Sequence, residues 1–133
     1  MFGYAAAKLI ESFYEFNLSA TDRIVAHFHE WMTGTGALYL NQRVPQVGTV
    51  FTSHATVLGR SVAGNGLPLY GKLDQYEPNR TASDFGVISK QSLESISARR
   101  SDSFTTVSHI TAEECRHFLG KNPDVITVNG FED

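Results

Sequence analysis

The 133-residue chain has one cysteine and only four prolines, and its charge is nearly balanced. A lone cysteine, Cys115, cannot form an intrachain disulfide, so a cytoplasmic setting is the default expectation and Cys115 reads as a small, semi-buried helix residue. A formal net charge of −3 supplies neither the basic patch that nucleic acid requires nor attraction to an anionic membrane surface. No stretch approaches the roughly 20 apolar residues of a membrane span. The N-terminal "MFGYAAAKLIESFYEF" lacks a basic leader, and Lys8 and Glu11 break its apolar run, so it is not a signal peptide. Phe2, Ala6, Leu9, Ile10, Phe13 and Phe16 fall at helical spacing, and the segment reads as a covering helix that buries them.

With 41% apolar and 19% charged residues, the chain has the composition of one compact domain with its own core. Four short runs rich in Val, Ile, Thr and Phe stand out: "RIVAHF" (23–28), "QVGTVFT" (46–52), "SFTTV" (103–107) and "DVITV" (124–128). None alternates strictly, which predicts strands buried on both faces. Helical segments lie between them, "WMTGTGALYLNQ", "SDFGVISKQSLESISARR" and "TAEECRHFLGK". Ser83-Asp84 are expected to cap the second, Thr111 with Glu114 to form a capping box on the third, and Gly120 with Pro123 to end it. Strands alternating with helices predict an α/β domain, a parallel Rossmann-like sheet flanked by helices. Residues 63–82, rich in Gly, Asn and Pro, read as a long irregular loop. Both termini read as cuts within a larger fold, and strand edges bared by such cuts would favour a homo-oligomer.

In open parallel sheets, ligands bind beyond the carboxyl ends of the strands. Polar residues follow each apolar run there: His27, His29 and Glu30; Ser53, His54 and Thr56; Ser108 and His109; Asn129 and Gly130. His27 and His29, two apart, could share a metal, but no second cluster offers matched ligands; the competing reading packs one imidazole inside, His27 by preference, and sets the other at a helix start. A nucleophile elbow is absent, and "GTGAL" (34–38) departs from the dinucleotide glycine pattern, since position 39 is Tyr.

"VAHFHEW", "VFTSHATVLGR", "FTTVSHITAEE" and "VITVNG" resemble, in order, signature segments of the glycogen synthase family. The likeness is strongest to the UDP-glucose-using branch of animals and fungi, with its bacterial relatives. The resemblance implies a GT-B glycosyltransferase, with two Rossmann-like domains across a cleft and this chain as part of the N-terminal one. It implies transfer of glucose from a sugar nucleotide, UDP-glucose, to an α-1,4-glucan acceptor with retention of configuration, and no metal or other cofactor. By position, His54 resembles the histidine beside the transferred sugar and Glu30 a cleft carboxylate. Arg60 resembles an arginine set toward the donor phosphates and Asn129 a cleft-facing asparagine, with His29 beside Glu30 on the substrate side. Where animal and fungal members carry a histidine-arginine-tyrosine cluster, this chain has "VISKQSLESISARR", which points to a bacterial member. A chain without the donor domain is expected to be inactive alone. The alternative from another class is a non-catalytic Rossmann-like binding or assembly module.

Overall fold

A computed structural model describes residues 1–130. Four strands, β1 (Ile24–His29), β2 (Val47–Ser53), β3 (Ser103–Thr106) and β4 (Val125–Ile126), form one parallel sheet in the order β1-β2-β3-β4. Helix α1 (Phe2–Asn17) precedes β1. A 3₁₀ turn at Trp31–Thr33 and α2 (Gly34–Arg43) join β1 to β2. Helices α3 (Val57–Gly64), α4 (Pro78–Asp84) and α5 (Ile88–Arg100) lie between β2 and β3, and α6 (His109–Glu114) runs on into a π-helical turn, Cys115–Leu119, before β4. The α/β class and the parallel sheet flanked by helices are as the sequence predicts. No helix among the described residues is long and apolar enough to cross a membrane.

The core sits on one face of the sheet. Ala26 and Phe28 of β1, Val47 and Phe51 of β2 and Phe104 of β3 share that face in register and join Leu40, Leu58, Ala98 and Phe118 from the helices. Phe51 and Phe104 stack with ring centroids 6.1 Å apart. On the other face β1 departs from the expectation of strands buried on both sides, whereas β3 and the end of β2 meet it, with Thr52 and Thr105 buried there. Burial alternates along β1, with Val25, His27 and His29 exposed between buried Ala26 and Phe28. A polar ladder crosses this second face: His27 Nε2 lies 2.6 Å from Thr52 Oγ1, which lies 2.6 Å from Thr105 Oγ1. His27 is therefore not an interior residue; its ring stays exposed and is tied to the ladder.

Helix α1 also turns differently from its apolar pattern. It buries Gly3 and Ala7 and packs Ile10 and Tyr14 on the core, whereas Phe2 (71%), Leu9 (72%) and Phe16 (81%) remain exposed. Small residues win because the helix lies very close to the turn after β1: a Cβ on Gly3 would sit 2.5 Å from the Thr33 carbonyl oxygen. A Cβ on Gly36 would meet the Phe28 ring at 2.4 Å, and one on Gly34 would meet Ser97 Oγ at 2.2 Å. The glycines of "GTGAL" thus serve close packing and not a phosphate loop.

Two helix boundaries move. Ser83-Asp84 close α4 instead of opening α5, and Gly86, at φ +65°, turns the chain between the two helices. The cap of α6 is Ser108, whose hydroxyl accepts from the Thr111 N–H; Thr111 is inside the helix, and Glu114 points elsewhere. Within 63–82, Glu77 caps α4 by accepting from the Asn79 and Arg80 N–H groups, with Pro78 at its first position. That leaves a shorter connection, anchored by buried Leu69 and by the Tyr76 hydroxyl donating to the Pro68 carbonyl. Gly120, at φ +63°, ends the π-helical turn as the sequence predicts. Gln91, Ser95 and Arg99, one stripe of α5, donate to the free carbonyls of Phe118 and Leu119. This explains how a polar helix is held against the core.

Candidate functional site

The carboxyl ends of β1 and β2 stand side by side, because His29 pairs with Thr52 in the register. β1 stops there in unusual backbone. Glu30 has φ 66° and ψ 160°, a region that side chains rarely enter and that costs about 1–3 kcal/mol. Several contacts hold it there. Its N–H donates to the Thr52 carbonyl at 2.9 Å, and its carbonyl accepts from the Thr33 N–H and hydroxyl, both at 3.1 Å. Its side chain is fixed as well: Glu30 Oε1 accepts from the His54 N–H at 2.9 Å and from Arg60 Nη2 at 3.4 Å.

Three imidazoles flank this carboxylate. His27 and His29 stack with centroids 4.1 Å apart, and His29 Nδ1 lies 2.9 Å from His54 Nε2. One of these two nitrogens donates and the other accepts, so the accepting nitrogen carries no proton while the bond stands. Burial lowers the His29 pKa, and His27 and His54 lower it further, against a smaller upward pull from Glu30. On the His54 ring, Nδ1 has no hydrogen bond among the described residues, as is also true of His29 Nε2 and His27 Nδ1. No group of three or more His, Cys, Asp or Glu side chains among the described residues is arranged to hold a metal.

The turn that carries His54 rests on two carboxylates that the sequence reading did not place at the site. Glu94, from α5, is fully buried; its Oε1 accepts from Ser53 Oγ at 3.0 Å and its Oε2 from the Val57 N–H at 2.9 Å. Glu114, from α6, accepts on Oε2 from the Thr56 N–H (3.3 Å) and hydroxyl (2.9 Å), and on Oε1 from the Tyr70 hydroxyl (2.7 Å). Thr56 in turn caps α3, accepting from the Gly59 N–H at 2.9 Å. Burial pushes the Glu94 carboxyl up to about 7, opposed by its two donors and reinforced by Glu30 and Glu114. The bond to Glu114 raises the Tyr70 phenol to about 12. Burial takes the Cys115 thiol, beside both acids, to about 12, so it stays protonated and inert.

Glu30, His54, Arg60 and His29 thus come together as one cluster. Asn129 does not join it through any hydrogen bond or ion pair among the described residues; it lies exposed beyond β4. Ser108 is spent on capping α6, and His109, its first residue, is exposed. Glu94 gave little signal, since an acid on a helix rich in Ser, Lys and Arg reads as a solvated face, and the local pattern assigns Glu114 to a capping box instead. The available clue was the surplus of Ser and Thr at the strand ends, whose donors need buried acceptors.

A sequence profile described as glycogen synthase matches residues 1–132. The glycogen [starch] synthase of Dictyostelium discoideum is 41% identical over 132 residues, which is 99% of this chain and 15% of that protein. That of Caenorhabditis elegans is 39% identical over 129 residues, 97% of this chain and 19% of that protein. Isoform 2 from Saccharomyces cerevisiae is 40% identical over 116 residues, 86% of this chain and 16% of that protein. The chain therefore spans 15–19% of the length of these relatives. A profile match across nearly every residue, with identity near 40% to several such proteins, places the chain in the glycogen synthase family.

Proposed function

We propose that this chain forms one wall of the sugar-transfer site of a retaining, GT-B-type glucosyltransferase, which moves glucose from a sugar nucleotide, UDP-glucose, to the end of an α-1,4-glucan. The observation that carries this reading is the Glu30–His54–Arg60 cluster at the carboxyl edge of the sheet, in a chain of this family. A neutral, hydroxyl-rich substrate is recognised by oriented hydrogen-bonding groups, and this edge offers a fixed imidazole and a fixed carboxylate. His54 meets a hydroxyl of the transferred glucose. Glu30 holds the His54 backbone and accepts from the sugar through its second oxygen. Arg60, exposed and only loosely paired with Glu30, can swing toward the donor phosphates and stabilise charge on the leaving group. In the same reading Asn129, beyond the end of β4, faces the cleft. A cytoplasmic setting and the absence of any metal requirement belong to the same reading.

Transfer needs donor and acceptor held together, and proximity supplies much of the rate. The 133-residue chain alone is accordingly inactive, and the opposite wall comes from the rest of the polypeptide. The test uses the full-length polypeptide with labelled UDP-glucose, ADP-glucose as comparison, and a glucan primer. Wild type incorporates label. His54→Ala lowers kcat by about 100-fold and Glu30→Gln by about 10-fold, with both variants folded. No incorporation from either nucleotide by the wild type defeats the proposal, and wild-type kinetics in one variant removes that residue from the site.

A further inference from the structure

The turn from Ser53 to Val57 has few apolar anchors of its own, and its polar groups point down toward two acids from distant helices. Glu94 takes the donors at its two flanks, Ser53 and Val57, and Glu114 takes both donors of Thr56 between them. His54 sits inside this frame, with its own N–H on Glu30. We propose that Glu94 and Glu114 are positioning residues for transfer: a buried two-carboxylate clamp that fixes the His54 turn from beneath without touching substrate. The inference rests on the proposed transfer reaction for its kinetic consequence, but the clamp itself stands on the geometry.

Alternatives for the two acids are weaker. Neither lies where a substrate could reach it, since Glu94 is 0% and Glu114 1% exposed. Neither is needed to neutralise a buried cation, because every partner of both is an uncharged donor. Two carboxylates buried together repel and are costly to hold, so a scaffold role alone would be met better by apolar side chains. What they provide that apolar groups cannot is direction, because each oxygen fixes a named donor. Gly59 fits the same arrangement, since a Cβ there would stand 2.1 Å from Glu114 Oε2. Glutamine can substitute at position 94: its carbonyl accepts from the Val57 N–H while its amide donates to Ser53 Oγ, which then accepts. Methionine fills the same volume and satisfies neither.

The test compares Glu94→Met and Glu94→Gln in the full-length polypeptide, reading kcat, donor KM, melting temperature and amide hydrogen exchange of residues 53–57. Displacing a reacting group by an ångström costs up to about 100-fold, so Glu94→Met is expected to lose about 10- to 100-fold in kcat. Its donor KM stays within about threefold of wild type, and Glu94→Gln recovers most of the loss. Exchange at 53–57 quickens in Glu94→Met while β2 stays protected. A folded Glu94→Met with wild-type kcat overturns the inference, as does a Glu94→Gln no better than Glu94→Met. If Glu94→Met does not fold, Ser53→Ala removes one of the clamp's bonds with little loss of volume. It carries the same comparison, with unchanged kcat and unchanged exchange again overturning the clamp. If the wild type transfers no glucose, the proposed function falls while the clamp is judged by exchange alone.

Discussion

Replacing Glu30 by glycine and by alanine separates the backbone of this residue from its carboxylate. Both variants lose the same contacts, the His54 N–H bond at 2.9 Å and the weaker Arg60 contact at 3.4 Å, so that common cost cancels between them. What remains is the conformation, φ 66° and ψ 160°, which the bonds of the Glu30 N–H and carbonyl maintain in either variant. Alanine retains a strain of about 1–3 kcal/mol there, and glycine does not. Glycine loses about 0.5–1 kcal/mol through the greater freedom of its unfolded chain. At the middle of both ranges the balance favours glycine by about 1 kcal/mol, the reverse of the usual order at an ordinary strand or helix position. With a urea m-value near 2 kcal/mol per molar for a chain of this size, the Glu30→Gly midpoint lies about 0.5 M above that of Glu30→Ala. Equilibrium urea unfolding of the two variants, followed side by side, gives the answer. Equal midpoints, or a higher one for alanine, refute the argument that the strand end is strained. A glycine advantage means that Glu30 is held here at a cost in stability, as expected of a residue whose carboxylate is put to use.

Two further predictions concern the acids beneath the turn. The folded-state pKa of Glu94 is raised from 4.5 to about 7, so the folded chain holds an extra proton between these values. Its contribution to stability is therefore fully present below pH 4.5 and is lost as pH rises through 7, by at most about 3 kcal/mol. In Glu94→Gln this part of the slope disappears, which pH-dependent urea unfolding of wild type and variant will show; parallel curves contradict it. Gly59→Ala drives a methyl to 2.1 Å from Glu114 Oε2, whose side chain is buried and fixed, and is expected to destabilise by about 1–3 kcal/mol. A thermal midpoint unchanged from wild type would show that Glu114 moves aside freely.

Much of this arrangement could be read from the sequence, and the omissions have physical causes. Runs of Val, Ile, Thr and Phe locate the four strands because β-branched and aromatic side chains suit a pleated, half-buried surface. Polar residues at the strand ends locate the edge that gathers Glu30, His54, Arg60 and His29. Which face of β1 is covered is another matter, since it depends on what packs against Val25, His27 and His29, and periodicity carries no information on that. The orientation of α1 was hidden for a related reason: the side chains that bury best there are the smallest. Gly3 and Ala7 let the helix approach Thr33, and a hydrophobicity pattern gives them little weight beside Phe2 and Phe16.

The acids show the same limit more sharply. "SHATVLGR" is a strong motif, yet most of its members owe their identity to residues 24–58 positions away. Ser53 and the Val57 N–H answer to Glu94, Thr56 and the space at Gly59 to Glu114, and His54 N–H and Arg60 to Glu30. A capping box at Thr111–Glu114 is the local reading, and it fails because Glu114 gains more by taking two donors from the buried turn and one from Tyr70 than by reaching its own helix start. The acids in turn need those donors: a carboxylate at position 94 or 114 without the Ser-x-x-Thr turn would be buried with nothing to accept from, and would cost several kcal/mol. Motif and acids are therefore stable only together.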